Sequence, residues 1–250
     1  MTKSDFTRSC KNYQQEISEK TSSMTKTAKI REIFKSIQGE GPYVGTSQIF
    51  VRFCTCNLKC KYCDTDFDPS KSQTYTPQEL LKEVERLNQE HPAIISLTGG
   101  EPLMSTEFLK DFFPLAKKSN HTIYLETNGT LPENLLEVVN WVDIISADIK
   151  LKSATDMDID QHILEKFFEI SANKEVFAKI VFDENITEEE IKTAIELAKR
   201  FNFEIVLQPM MIEDKMSVSV EFCEEIFDRI YSKYPKVRLI PQVHKFLNVR

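Results

Sequence analysis

From residue 94 onward the chain alternates short apolar runs with amphipathic helical stretches, and this alternation limits the folds open to it. Residues 94–97, 122–126, 142–149, 176–182, 204–208 and 237–242 read as strands. Between them, 108–118, 135–139, 159–170, 187–200 and 220–231 read as helices, one of them opened by the capping box Thr187-Glu188-Glu189-Glu190. Strands separated by helices of these lengths predict right-handed βαβ units and a parallel sheet. Upstream, 30–37 and 48–53 are further strands. Thr76-Pro77-Gln78-Glu79 starts a helix whose Leu80, Leu81, Val84 and Leu87 share a stripe. A chain of 250 residues can bury one large core as a single α/β barrel domain.

Within that frame the segment 53–67 is the most informative. Cys56, Cys60 and Cys63 stand in a CxxxCxxC spacing. Residues 1–28 are polar and form a flexible leader with no apolar centre, so no export signal is expected ahead of a domain spanning 29–250. One reading starts translation at Met24; the other keeps the leader as a segment outside catalysis. A reducing, cytoplasmic compartment follows, and there close cysteines favour metal ligation over disulfides. A structural zinc or a complete iron–sulfur cluster takes four ligands, whereas this set supplies three. Three thiolates on a four-iron cluster leave one iron open to a small molecule. Cys54 could instead complete a zinc site; the alternative is a small buried residue at a strand end. Cys10 and Cys223 have no partner at ligand spacing.

Hydrophobic content of 41% and charged content of 28% are those of a globular domain. A net charge of -7 argues against broad nucleic-acid binding, and no apolar run approaches a membrane span. Polar residues gather where the strands end: Thr98, Glu126, Ser146, Asp148, Gln208 and His244. In parallel α/β sheets that edge carries the active site. Strand period places Phe50, Arg52 and Cys54 on one face and Ile49, Val51 and Phe53 on the other. An arginine in so apolar a strand needs an anionic partner, either a core carboxylate or a bound one. The run Gln38-Gly39-Glu40-Gly41-Pro42 is either a tight turn or a backbone wall for a flat ligand, with Glu40 a polar contact. His91, His121 and His162 read as surface residues.

The cysteine spacing, followed by Asp64-Thr65 and by Thr98-Gly99-Gly100-Glu101-Pro102, resembles the radical S-adenosylmethionine (SAM) superfamily. More narrowly, the chain from about residue 30 to its end resembles the 7-carboxy-7-deazaguanine synthase family. The pieces that carry this are Glu32-Ile33-Phe34, Ser36-Ile37-Gln38-Gly39-Glu40-Gly41, Phe50-Val51-Arg52-Phe53, Cys56-Asn57-Leu58-Lys59-Cys60 and Cys63-Asp64-Thr65. Glu126-Thr127-Asn128-Gly129, Gln208-Pro209-Met210 and Gln242-Val243-His244-Lys245-Phe246-Leu247 continue the match. Where many members read Ser-Pro-Lys, this chain has Ser146-Ala147-Asp148-Ile149-Lys150.

The resemblance implies an α/β fold of the incomplete (β/α) barrel type and a carbon–nitrogen lyase. Its substrate would be 6-carboxy-5,6,7,8-tetrahydropterin, converted to 7-carboxy-7-deazaguanine and ammonia on the route to deazapurines such as queuosine. SAM chelated by the open iron would be cleaved to a 5′-deoxyadenosyl radical that takes hydrogen from the pterin C6 and later returns it. The implied cofactors are a [4Fe-4S] cluster on Cys56, Cys60 and Cys63, SAM, and Mg²⁺ on Thr65. Ile37, Gln38, Gly39 and Glu40 would border the pterin, with Arg52 on its carboxylate and Thr98, His244 and Arg250 also on the substrate. Gly100, Glu126, Ser146, Lys150 and Gln208 would hold SAM. A homodimer and an electron donor such as flavodoxin or ferredoxin are implied partners. Two other readings stay open here: a radical activating enzyme acting on a partner protein, and a non-catalytic metal-binding module.

Overall fold

The computed structural model describes residues 26–61, 63, 68–89 and 93–249. The leader up to residue 25, Cys10, Thr65, His91 and Arg250 lie outside them. The chain enters with β1 (Ala28–Ile37), which begins one residue inside the segment read as leader. β1 pairs antiparallel with β2 (Ser47–Phe53), joined by the turn 38–46. The cysteine loop follows, then β3 (Gln73–Tyr75), an addition to the sequence reading that zips antiparallel onto β1.

The regular alternation begins at α1 (Pro77–Leu87), opened by the Thr76/Glu79 capping box. Then come β4 (Ile94–Gly99), α2 (Thr106–Lys118), β5 (Ile123–Thr127), α3 (Pro132–Val138) and β6 (Ile144–Asp148). A one-turn helix α4 (Lys152–Thr155) precedes α5 (Gln161–Ser171) and β7 (Glu175–Phe182). The chain continues through α6 (Glu188–Phe201), β8 (Glu204–Pro209), the small hairpin β9 (Met211–Ile212)–β10 (Lys215–Met216), and α7 (Val220–Tyr231). It ends in β11 (Val237–Leu239) and α8 (Val243–Leu247). The last strand is shorter than the sequence suggests: Pro241 cannot donate to a ladder, and the chain turns into α8 instead.

The nine-stranded sheet runs β11-β8-β7-β6-β5-β4-β2-β1-β3. β2, β4, β5, β6, β7, β8 and β11 are mutually parallel, as the alternation predicts, while β1 and β3 add an antiparallel end. Its two ends are β11 and β3, which do not pair, so the sheet is an open, incomplete barrel.

The pleat divides the strands. One face carries Ile49, Val51, Phe53, Ile95, Leu97, Leu125, Ile145, Ala178, Ile180 and Leu207, buried against the helices. Phe168 of α5 stacks on Phe203 at 4.2 Å within this layer. Burying an aliphatic or aromatic side chain contributes about 1.5–3 kcal/mol, so this layer supplies most of the drive to fold. The inner face holds a smaller apolar cluster of Tyr124, Ile144, Phe177 and Val206, capped by Tyr43 and Ile240. That cluster plugs one end of the half-barrel. Beyond it, toward the carboxyl ends of the strands, the inward positions turn polar.

Candidate active site

Those inward positions open into a cleft of about 240 Å³. Ile37, Gln38, Gly39, Glu40, Arg52, Cys56, Cys60, Cys63, Thr98, Gly100, Glu126, Lys150, Gln208 and His244 all line it. These residues come from β1, β2, β4, β5, β8 and α8 and from the segments that follow their strands, so the fold brings together positions more than 200 residues apart. Ser146 does not line the cleft; it is buried, with Glu126 as its register partner, and hydrogen-bonds the Tyr124 hydroxyl.

At one end lie the cysteines. Asn128 Nδ2 donates toward Cys56 Sγ at 3.9 Å and Leu58 N at 3.4 Å, donors suited to a thiolate or a sulfur-bridged cluster. Burial pushes the Cys56 and Cys60 thiols up, while the Lys150 ammonium pulls both down. Iron binding would deprotonate them outright. Cys54 is buried at the end of β2 with its Sγ toward Asp68 O, and it does not line the cleft. The strand-end reading of Cys54 therefore holds, and Cys223 is likewise a core residue. Among the described residues no three His, Cys, Asp or Glu side chains converge on a single ion. Cys56, Cys60 and Cys63 all border the cleft, and three thiol donors from one short loop are a donor set that fits an iron–sulfur cluster.

The glycine run beside the cysteines serves the chain first. Gly100 N donates to Phe53 O at 2.9 Å and Glu101 N to Thr55 O at 2.7 Å, which draws the cysteine loop against the end of β4. A Cβ at Gly100 would strike the Thr55 carbonyl. Glu101 is fully buried and accepts from Leu103 N, Asn128 N and Thr127 Oγ1. Burial pushes its carboxyl up to about 7 against those donors. Gln208 Oε1 is buried in the cleft wall with no hydrogen-bond partner, as an acceptor facing a ligand would be, and Asp148 Oδ1 beside it has only the Lys179 ammonium, 3.6 Å away. Together with the small Gly100 these fit a bound SAM.

At the other end the turn after β1 is clamped from both sides. Gln38 Nε2 donates to Glu126 Oε1 at 2.9 Å and to Gln48 Oε1 at 3.0 Å. Glu126 also accepts from Thr98 Oγ1 at 2.6 Å. From the tail, Val243 N donates to Gly39 O at 2.9 Å and Gln242 Nε2 to Glu40 Oε1 at 2.6 Å. Arg52 Nε pairs with Glu32 Oε1 at 2.8 Å. The arginine thus has a core carboxylate beside it and still borders the cleft, so both partners that its sequence context allows are geometrically open to it.

The sequence reading places Asp148 at the strand-end edge but gives it no role, and Lys179 and Gln242 are cleft residues that it does not single out. A lysine between Ala178 and Ile180 in an apolar strand is the same signal that singles out Arg52. His121 is a correction: it is buried, with Nε2 2.9 Å from Glu85 Oε1, because it caps the turn between α2 and β5 rather than facing solvent. His162 is exposed.

The description "Radical SAM superfamily" matches residues 50–223. The 7-carboxy-7-deazaguanine synthase of Geobacter sulfurreducens is 34% identical, over 88% of this chain and 97% of its own length. The synthase of the same name from Archaeoglobus fulgidus is 32% identical, over 89% and 99%. Among solved structures, QueE from Escherichia coli superposes with a TM-score of 0.62 at 20% identity, covering 89% of this chain and all of that one. Sequence match and half-barrel agree, and the chain belongs to the radical SAM superfamily and, within it, to the 7-carboxy-7-deazaguanine synthase family.

Proposed function

We propose that the chain converts 6-carboxy-5,6,7,8-tetrahydropterin to 7-carboxy-7-deazaguanine with loss of ammonia. The observation that carries this is the meeting, in one cleft, of three cysteines with Arg52 and the clamped turn Gln38–Glu40. A [4Fe-4S] cluster and SAM, when bound, supply a carbon radical able to take hydrogen from the pterin. Cys56, Cys60 and Cys63 would hold the cluster, and Gly100, Lys150 and Gln208 would border SAM, with Glu126 between SAM and substrate. Ser146 would support that wall through its hydrogen bond to Tyr124.

The protein's own part is to bind and orient. The Arg52 guanidinium can take a substrate carboxylate through a planar fork, the geometry that makes arginine–carboxylate pairs strong. Ile37, Gln38, Gly39, Glu40 and Thr98 offer one wall and His244 the other. Glu40 stays ionised: burial would raise its carboxyl, but Lys179 and a hydrogen bond from Gln242 hold it down at about 2. An ionised carboxylate there is an acceptor for ring and amino N–H groups. Mg²⁺ prefers oxygen ligands and keeps several waters, which suits a hydroxyl such as Thr65 together with a substrate carboxylate. Arg250 is a further proposed substrate contact.

The open ends of the sheet support a homodimer, since uncovered strand edges invite pairing. An electron donor of the flavodoxin or ferredoxin type would approach at Cys63, the exposed cysteine of the three. No helix among the described residues is long and apolar enough to cross a membrane. Thiolate ligands call for a reducing compartment, and we place the enzyme in the cytoplasm on that ground. Residues 1–27, ahead of β1, are proposed as a leader outside the catalytic domain. The test is anaerobic: the chain reconstituted with iron and sulfide receives SAM, reductant, Mg²⁺ and the pterin. Formation of the deazaguanine supports the reading. SAM cleavage without it assigns a different radical reaction.

A further inference from the structure

Lys179 lies mid-strand in β7, 9% exposed, where an ammonium must be paired. Its Nζ is ion-paired with Glu40 Oε2 and stands 3.6 Å from Asp148 Oδ1. Asp148 takes Lys150 Nζ on its other oxygen at 2.6 Å. Gln242 Nε2 holds the remaining oxygen of Glu40 at 2.6 Å. A continuous polar line therefore crosses the cleft floor from Lys150 through Asp148, Lys179 and Glu40 to the tail. It joins the strand-end segment proposed for SAM to the turn proposed for the pterin.

We propose that Lys179 is a positioning residue for substrate recognition: it fixes Glu40 as an oriented, ionised acceptor, so that the cleft selects a heterocycle edge presenting N–H donors over one presenting acceptors. This rests on the pterin reading above. The physical reason is the company Glu40 keeps. From β7 it faces Lys179, from β5 the Tyr124 hydroxyl, and from the tail Gln242 and His244, while Lys179 itself also faces the carboxylates of Glu126 on β5 and Asp148 on β6. Without the ammonium, burial acts on Glu40 with its main counter-charge gone, and the carboxyl would take up a proton. A neutral carboxyl is a poorer acceptor, and its orientation is no longer set by an ion pair.

The experiment measures pterin affinity by anaerobic equilibrium dialysis of the cluster-reconstituted protein with SAM and Mg²⁺, without reductant, from pH 6.5 to 9. Lys179→Met should bind on the order of 100-fold more weakly than wild type at pH 7, the range for removing one partner of a buried charge pair. Its deficit should shrink by about tenfold toward pH 9 as Glu40 ionises. His244 is present in both proteins, so the ratio of the two profiles removes its contribution. The double variant Lys179→Met/Glu40→Gln should stay weak at every pH, because the group that recovers is gone. If the methionine variant does not fold, Lys179→Gln, which keeps an N–H donor and removes the charge, carries the same test.

Equal affinity of wild type and variant, a deficit that does not change with pH, or recovery that survives in the double variant would each overturn the inference alone. A wild-type protein that binds no pterin would overturn the substrate reading and this inference with it.

Discussion

Arg52 and Glu32 face each other in register across the antiparallel β1–β2 pair, with the guanidinium Nε 2.8 Å from a carboxylate oxygen. The pair explains how a strand as apolar as β2 tolerates an arginine. It also fixes one edge of the guanidinium while the side chain borders the cleft. Arg52→Ala should therefore weaken pterin binding on the order of 100-fold. Iron content after reconstitution should be unchanged, since Arg52 is anchored on β1 through Glu32 rather than on the cysteines. Loss of iron in this variant would make the residue structural.

Gly39 lies under the His244 ring, where a Cβ would collide with the imidazole. Gly39→Ala should push α8 off the turn and loosen the Gln242–Glu40 contact. A cost of about 1–3 kcal/mol is expected for such overpacking. Pterin affinity should fall about tenfold or more if the shift reaches Glu40, while SAM affinity stays near wild type. Equal losses for both ligands would show a general collapse of the cleft instead.

Glu101 gives a pH signature. Its folded carboxyl is pushed up to about 7 by burial, against an ordinary value of 4.5. Between those values the folded protein binds more protons than the unfolded one, so this group's contribution to stability falls as pH rises through the window. The full difference is roughly 3 kcal/mol. Denaturant unfolding at pH 5.5, 6.25 and 7 should show that slope in wild type and a flatter one in Glu101→Gln. Identical slopes would mean that Glu101 is ionised throughout.

The cysteines separate by position. Cys60→Ala should abolish the visible absorbance of the reconstituted cluster. Cys54→Ala should keep that absorbance and lower stability by about 1 kcal/mol, the transfer cost of a small buried group. A colourless Cys54 variant would place that sulfur on the metal.

Much of the fold was legible because the βαβ alternation is local: capping boxes at Thr76 and Thr187 and the apolar runs of β4 to β8 mark their own elements. β3, α4, the β9–β10 hairpin and α8 escaped because each is only a few residues long and is held by tertiary contacts. The strand-end positions lining the cleft follow from strand period and chain direction. Ser146 shows the limit of that rule: it shares the inward face with its neighbours, yet it is buried and its hydroxyl is engaged by the Tyr124 hydroxyl. The line from Lys150 to Gln242 could not be read from spacing, because Glu40 and Lys179 meet only when the turn after β1 folds over β7. The resemblance marks Gly100 as a SAM contact, but its spacing does not show that the cysteine loop docks there on the end of β4.

The central claim is that this cleft carries out a ring contraction in which SAM is reused. The direct measurement is anaerobic turnover with SAM limiting and 6-carboxytetrahydropterin in several-fold excess, the product identified by mass and the released ammonia counted. The account predicts 7-carboxy-7-deazaguanine and ammonia in equal amounts, both exceeding the SAM supplied. Deazaguanine that never exceeds SAM, or SAM consumed with no deazaguanine formed, would contradict it.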